Sequence, residues 1–202
     1  MSYRIKVIIV WIAHFVTWPF TVPSLIGIRV FKSERTFDFS AKMISILPGR
    51  IGQVLRASFY MVTLEECHYD LGVGFGSFFP HPTARVGRRV GIGCYSIIGS
   101  AHLGDGVMIA SRVSVLSGKY HHGGGSRGRD IRANDLLLET VRIGCGTWIG
   151  EGALVMADVG SRCIVAAGSV VTKPVPDDAT AVGNPARCVF YGGQAEAAVI
   201  QA

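Results

Sequence analysis

Aliphatic residues recur every six positions through the centre of the chain. Val86, Ile92, Ile98, Leu103, Ile109 and Val115 form one series, and Ile143, Ile149, Val155, Val159, Val165 and Val171 form a second. Most are followed by Gly or Ala, as at Gly87, Gly93, Gly99, Gly104, Ala110, Gly144, Gly150, Gly160 and Ala166. Thr147, Ala153, Cys163 and Ser169, four places after an aliphatic position, are also small. A period of six is three strand residues plus a corner, so three repeats close one triangular coil, and the pattern predicts a parallel β-helix. Each aliphatic residue points inward and stacks on its equivalent one coil away, which is worth about 1.5–3 kcal/mol per side chain. Stacked coils also pair their backbone groups above and below. The step falls short between Ile98 and Leu103 and between Val155 and Val159, so two turns are irregular. The largest interruption, residues 120–140, carries His121 and His122. A regular prism with one long histidine-bearing loop suits a scaffold that presents a reactive group.

Outside the repeat the pattern changes. Residues 7–28 contain no Asp, Glu, Lys or Arg, and by length alone they could span a bilayer. Pro19 and Pro23 argue against a simple straight span. Trp11 and Trp18, with Arg4, Lys6 and Arg29 at the flanks, suit the headgroup zone. The first reading is an interfacial or re-entrant anchor. A transmembrane helix, a signal peptide and an apolar arm packed on a neighbouring subunit are the alternatives. Residues 50–64 place Ile51, Val54, Leu55, Ser58, Phe59 and Val62 on one helical face, which predicts a helix capping the open end of the prism. Residues 71–79 are expected to make the first coil. Lys173-Pro174-Val175-Pro176 is expected to stop the period, because proline supplies no ladder donor.

Composition narrows the class. Nearly half of the 202 residues are apolar, 17% are charged and Gly is abundant, which fits neither a disordered chain nor a disulfide scaffold. Five cysteines with no C-x-x-C pair favour a reducing compartment. They also show no metal-ligand rhythm, and no metal is expected. The net charge of +6 is concentrated in the apolar first quarter, which suits an anionic membrane surface. No motif points to nucleic acid. These readings divide the chain into a membrane-associating segment (1–38), a capping helix region (39–66), the β-helix with its loop at 120–140 (67–175) and a C-terminal extension (176–202).

Several motifs then converge. His81-Pro82-Thr83-Ala84-Arg85-Val86-Gly87 opens the regular repeats, and Ser114-Val115-Leu116-Ser117-Gly118-Lys119-Tyr120-His121-His122 leads into the loop. Val141-Arg142-Ile143-Gly144-Cys145-Gly146-Thr147-Trp148-Ile149-Gly150 resumes the period. Ala166-Ala167-Gly168-Ser169-Val170-Val171-Thr172-Lys173-Pro174 and Val182-Gly183-Asn184-Pro185-Ala186-Arg187 follow. In this order they resemble the hexapeptide-repeat acyltransferase superfamily, in particular its polysaccharide-type O-acetyltransferase branch, related to the galactoside and maltose acetyltransferases. The resemblance covers over half the chain. It implies a left-handed β-helix, although the general rule for parallel crossovers is right-handed. It also implies a homotrimer with active sites between neighbouring prisms, and acetyl-CoA as acyl donor.

What the resemblance implies can be set residue by residue. A hydroxyl needs a base that takes its proton as the new bond forms, and histidine has a pKa in the working range. Counting from Gly118 in the family pattern gives His122 as that base, with His121 shaping the site or, as the alternative, acting as base itself. Trp148 and Gly150 match positions lining the pantetheine channel, and Ala167 a small residue whose backbone meets the pantetheine amides. Thr172 and Lys173 match the adenine and phosphate end, and Arg187 a basic residue near the 3′-phosphate. Packing alone for Trp148, and solvated roles for Lys173 and Arg187, are the plainer alternatives. Arg127 and Arg129 in the loop are candidates for holding an anionic group, and Asp130 or Glu139 for orienting a histidine. Glu151 stands where galactoside-type relatives have a serine near the thioester oxygen, and their acceptor-binding asparagine has no match. His81 is expected to be structural and His102 to occupy a corner of the shortened turn.

The expected function is acetyl-CoA-dependent O-acetylation of a sugar hydroxyl, on a surface polysaccharide or its lipid-linked precursor. The expected location is cytoplasmic, at the inner face of the membrane, with peripheral contact through residues 1–38. An N-acetyltransferase on an amino sugar, an antibiotic-type acetyltransferase and a non-catalytic β-helical scaffold are the alternatives. Serine acetylation is disfavoured, since the helical domain expected before the repeats is missing.

Overall fold

The computed structural model describes residues 3–117 and 140–189, and for residues 3–10 the backbone alone. Three helices precede a triangular prism: α1 (Tyr3–Arg29), α2 (Arg35–Ser45) and α3 (Gly49–Thr63). The prism strands are short. In chain order they are β1 (Glu66–Cys67), β2 (Gly72–Val73), β3 (Arg85–Val86), β4 (Gly91–Ile92), β5 (Ile97–Ile98), β6 (Ala101–Leu103), β7 (Met108–Ile109) and β8 (Ser114–Val115). Then come β9 (Val141–Ile143), β10 (Trp148–Ile149), β11 (Leu154–Val155), β12 (Ile164–Val165), β13 (Val170–Val171), β14 (Thr180–Gly183) and β15 (Ala186–Val189).

These strands build three parallel faces. The first is β1-β3-β6-β9, the second β2-β4-β7-β10-β12-β14 with β15 added antiparallel, and the third β5-β8-β11-β13. Each coil crosses the first, second and third face in turn. All twelve aliphatic repeat residues are buried, and so are Thr147, Ala153, Cys163 and Ser169. From β2 to β13 the inward residue of each two-residue strand is an aliphatic one, so the six-residue period sets the register directly.

The corners explain the Gly after each aliphatic residue. A Cβ on Gly144 would lie 2.4 Å from the Ser161 nitrogen in the next coil, and one on Gly93 would lie 2.5 Å from the Ala110 carbonyl carbon. Two residues further on, the chain turns through positive φ, at Arg89, Tyr95, Arg112, Arg162 and Asp178 as well as at glycines such as Gly146 and Gly152. Aspartates close many first-to-second-face corners: Asp70, Asp105 and Asp177 accept backbone N–H groups of Arg89, Arg88 and Ser161 at 2.9, 2.7 and 2.8 Å.

The boundaries differ from those expected. The first coil starts at β1, which pairs with β3, rather than at residue 71. The coil also continues past Pro176: Val175 bridges to Val159, and β14 pairs with β12. Pro174 and Pro176 sit beside that single bridge and interrupt no ladder there. His102 lies within β6 and faces outward, not at a corner; the short step arises because only Gly99 and Ser100 separate β5 from β6.

α1 runs unbroken through Pro19 and Pro23, both exposed on its outer side. Its inner side rests on α2 and α3, and α3 rests on the first coil. Phe37, Phe59, Tyr60 and Phe79 form a buried ring cluster between the helices and the prism. Arg56 is also buried, with no carboxylate in an ion pair with it among the described residues. Its Nε donates to the Val73 carbonyl at 2.9 Å, and its Nη1 to those of Ile44, Ser45 and Leu47 at 3.3, 3.2 and 2.7 Å. The last three lie at and just beyond the end of α2, where a cation is favoured by the helix dipole; Ile44 and Ser45 also accept the backbone N–H groups of Leu47 and Gly76 at 3.3 and 2.8 Å. Burial lowers the Arg56 pKa from its ordinary value. His81 Nδ1 meets Glu34 Oε2 at 2.7 Å, a second tie between helices and prism.

Candidate active site

The interruption in the repeat leaves the prism between the third and first faces, after Ser117, and returns at Thr140. One residue ties both ends. The Ser100 N–H donates to Ser117 Oγ at 2.9 Å, and the Ser100 and Thr140 hydroxyls are 3.0 Å apart. The Val141 N–H donates to the Ser100 carbonyl at 3.0 Å, and Thr83 Oγ1 lies 3.2 Å from Ser100 Oγ. Gly99 leaves room for this, since a Cβ there would sit 2.6 Å from Ser117 Oγ. His121 and His122 lie outside the described residues, as do Lys119, Arg127, Arg129, Asp130 and Glu139.

Three of the proposed coenzyme-side residues come together. Trp148 stands outward on the second face, half exposed. It is in register with Met108 on one side and Ile164 on the other, and these are equally exposed. Gly150 follows at the corner, buried, with its N–H on the Val165 carbonyl at 2.7 Å. A Cβ on Gly150 would lie 2.5 Å from the nitrogen of Ala167, so these two residues touch across successive coils. Ala167 is exposed. The result is a closely packed pair of small residues at one corner, with the exposed indole of Trp148 two positions before Gly150.

The other coenzyme-side residues are separate on a single prism. Thr172 and Lys173 follow β13 at the next corner, across the third face from Ala167. Arg187 lies on β15 opposite Val182, at the far edge of the second face. Lys173 and Arg187 are exposed, and neither makes an ion pair among the described residues. Glu151 forms an ion pair with Arg112 from the coil above. Its charge is therefore countered locally.

The first face carries a row of polar side chains. Glu66, Arg85, His102 and Arg142 stand outward in a row on β1, β3, β6 and β9. With Ser161 and Asp177 they line an open cavity of about 490 Å³. Burial, then the charges of Arg85 and Arg142, hold His102 below its ordinary pKa. It lies two residues from Ser100, at the root of the loop. The signal was available, because a residue just before a repeat aliphatic position must face outward. Among the described residues no group of His, Cys, Asp or Glu is placed to hold a metal ion. The five cysteines are unpaired, and burial pushes the Cys67 thiol up to about 12.

No family model matches the chain. It is 36% identical over 111 residues to the serine acetyltransferase of Escherichia coli K12, an alignment covering 54% of this chain and 37% of that protein. It is 33% identical over 92 residues to the galactoside O-acetyltransferase of the same organism, covering 43% of this chain and 42% of that protein. The chain thus spans less than half the length of the curated relatives it matches. A solved galactoside acetyltransferase in complex with coenzyme A superposes with a TM-score of 0.59 at 20% identity, covering 77% of this chain and 78% of that one. In repeat and in fold, the chain resembles the hexapeptide-repeat acyltransferases. Those structures are left-handed β-helices, and the three parallel faces described above agree with that winding.

Proposed function

We propose that this protein is an acetyl-CoA-dependent O-acetyltransferase that acts on a sugar hydroxyl, on a surface polysaccharide or its lipid-linked precursor. His122 takes the hydroxyl proton as the oxygen attacks the thioester carbonyl. The tetrahedral adduct collapses, the carbon–sulfur bond breaks, and the coenzyme thiol leaves with that proton. His121 shapes the acceptor side. Trp148, Gly150 and Ala167 hold the pantetheine, while Thr172, Lys173 and Arg187 meet the nucleotide phosphates. Because Arg187 and Lys173 stand on different faces of one prism, the site is completed between prisms of a homotrimer. The protein works in the cytoplasm with its helical end against the membrane.

The observation that carries this reading is the conjunction of two features at different corners of the prism. The only long break in the described repeat is pinned at both ends by Ser100, and the coils after it bring the small pair Gly150 and Ala167 together near the exposed Trp148. The galactoside O-acetyltransferase likeness supports a sugar acceptor. The higher identity to serine acetyltransferase supports a second reading, with an amino-acid hydroxyl as acceptor.

An acceptor panel tests both. The full chain is incubated with radiolabelled acetyl-CoA and free sugars, oligosaccharides, a lipid-linked oligosaccharide or L-serine. Label is expected on a carbohydrate. Label on serine alone would replace the proposal with the second reading, and coenzyme A binding without transfer to any hydroxyl would return the prism to the scaffold class.

A further inference from the structure

The outer side of the helical layer is the largest feature the prism chemistry does not use. α1 is built inside out for a soluble helix. Its inner stripe is Ala13, Thr17, Thr21, Ser24 and Gly27, small or hydroxyl-bearing and buried. The hydroxyls satisfy themselves on backbone: Thr21 Oγ1 donates to the Thr17 carbonyl at 3.0 Å, and Ser24 Oγ to that of Phe20 at 2.6 Å. Ser40 Oγ reaches the same Phe20 carbonyl from α2 at 3.3 Å. Gly27 packs so closely that a Cβ there would overlap Thr36 Oγ1, at 2.0 Å. The opposite side shows Trp11, Ile12, Phe15, Val16 and Trp18 to solvent, with Phe15 74% exposed. α2 and the start of α3 add Phe39, Ile46 and Ile51, the last 77% exposed. Exposed apolar area on this scale marks an interaction surface.

Charge identifies the occupant. The first 64 residues hold eight Lys and Arg against two Asp and Glu, while the remaining 138 hold twelve of each, so the layer carries the whole net charge of +6. Its two carboxylates are both engaged, Glu34 with His81 and Asp38 with Lys42. Arg29, Lys32, Arg35 and Arg50 are exposed. A second copy of this chain would bring the same positive surface onto itself. An anionic lipid surface offers both the apolar phase and the opposite charge.

Packing decides between lying on the bilayer and crossing it. At 27 residues α1 is long enough to cross, about 40 Å. Its inner stripe, however, is in contact with α2 and α3 from Ala13 to Gly27, and those helices carry Arg35, Asp38, Lys42 and Arg50. Crossing would strip α1 from them or drag those charges into hydrocarbon. We propose that α1–α3 form a monotopic platform, lying in the plane of an anionic membrane surface with the outer face of α1 in the headgroup region. The first coil then faces the membrane, and the loop root lies three strand spacings along the prism from β1, about 14 Å. Resting on the acetyltransferase reading, this makes the acceptor a sugar carried on a lipid head.

The test uses the full chain and vesicles. Flotation is expected with vesicles containing phosphatidylglycerol, at least tenfold weaker with phosphatidylcholine alone, and weakened by salt. Phe15→Glu with Trp18→Glu should reduce binding more than tenfold while leaving helix content and coenzyme A affinity unchanged; loss of membrane binding and loss of the enzyme reading are thereby told apart. Depth-dependent quenching by brominated lipids, with Trp148→Phe and either Trp11 or Trp18 as the remaining indole, reads the geometry. Equal, shallow depths for the two support the platform. Depths differing by about 10 Å, the rise over seven helical residues, would show a crossing helix and overturn it. Absence of vesicle binding, with or without concentration-dependent self-association, would overturn it as well.

Discussion

Arg56 joins three elements through four carbonyls and has no counter-ion among the described residues; its removal takes away the donor to Val73 and Leu47, while Ile44 and Ser45 keep the backbone N–H groups of Leu47 and Gly76. Each acceptor that loses its donor costs about 1–3 kcal/mol. Arg56→Met is therefore expected to lower unfolding stability by about 3 kcal/mol or more, read as the urea midpoint of the full chain; a loss below about 1 kcal/mol would show that the carbonyls find other partners. Two glycines separate two kinds of constraint. Gly144→Ala drives a methyl into the backbone of the next coil and is expected to cost about 2–3 kcal/mol. Gly152→Ala has open space and only the cost of positive φ, about 1–2 kcal/mol. The reverse order in thermal melts would contradict the corner geometry. Histidines show what residue types conceal. His121 and His122 were legible as candidates because they interrupt a period, and their ranking came from family resemblance. His102 is expected at a corner of the shortened turn, but the same alternation that buries Leu103 puts His102 on the outer face beside Arg85 and Arg142.

At the level of elements, the repeat was read correctly because one rule, an aliphatic residue every sixth position, is also the rule that buries it. The helices were harder. Residues 50–64 have a clear apolar face and form α3 (Gly49–Thr63). α2 was not singled out: five buried positions in eleven residues, two of them serines, make a weak pattern, and its burial comes from tertiary contact with Phe59 and Phe20. α1 continues through Pro19 and Pro23 because packing on α2 and α3 outweighs two missing N–H groups. Between coils, ion pairs tie the corners. Glu65 is held below the usual carboxylate range by its hydrogen bond to Arg85, and Asp178 by its bonds to Arg162 at 2.6 Å. A carboxylate with a depressed folded pKa stabilises above its unfolded value, 4.5 for Glu and 3.8 for Asp, and loses that contribution as pH falls through the folded one. The melting temperature should thus be level near pH 6 and fall as the pH drops below about 4.5. Arg162→Gln should flatten part of that fall; an identical profile would show the pair to be energetically silent.

At the level of the whole molecule, the second face is the one a single prism leaves unfinished. Met108, Trp148 and Ile164 form an exposed apolar ladder there, with each side chain about half accessible. In the proposed homotrimer this face would be covered by a neighbouring prism. Light scattering of the full chain, with its helical platform in detergent, should give three copies, and Ile164→Glu should shift it to one copy and weaken coenzyme A binding. A wild-type monomer that binds coenzyme A at full strength would remove the shared-site reading. The central claim, a histidine-based acetyl transfer from acetyl-CoA, is tested most directly by thiol release in the presence of a carbohydrate acceptor. His122→Ala should keep coenzyme A affinity and lose about 10²–10⁴-fold in turnover, with His121→Ala losing far less. Undiminished thiol release by His122→Ala would contradict the account.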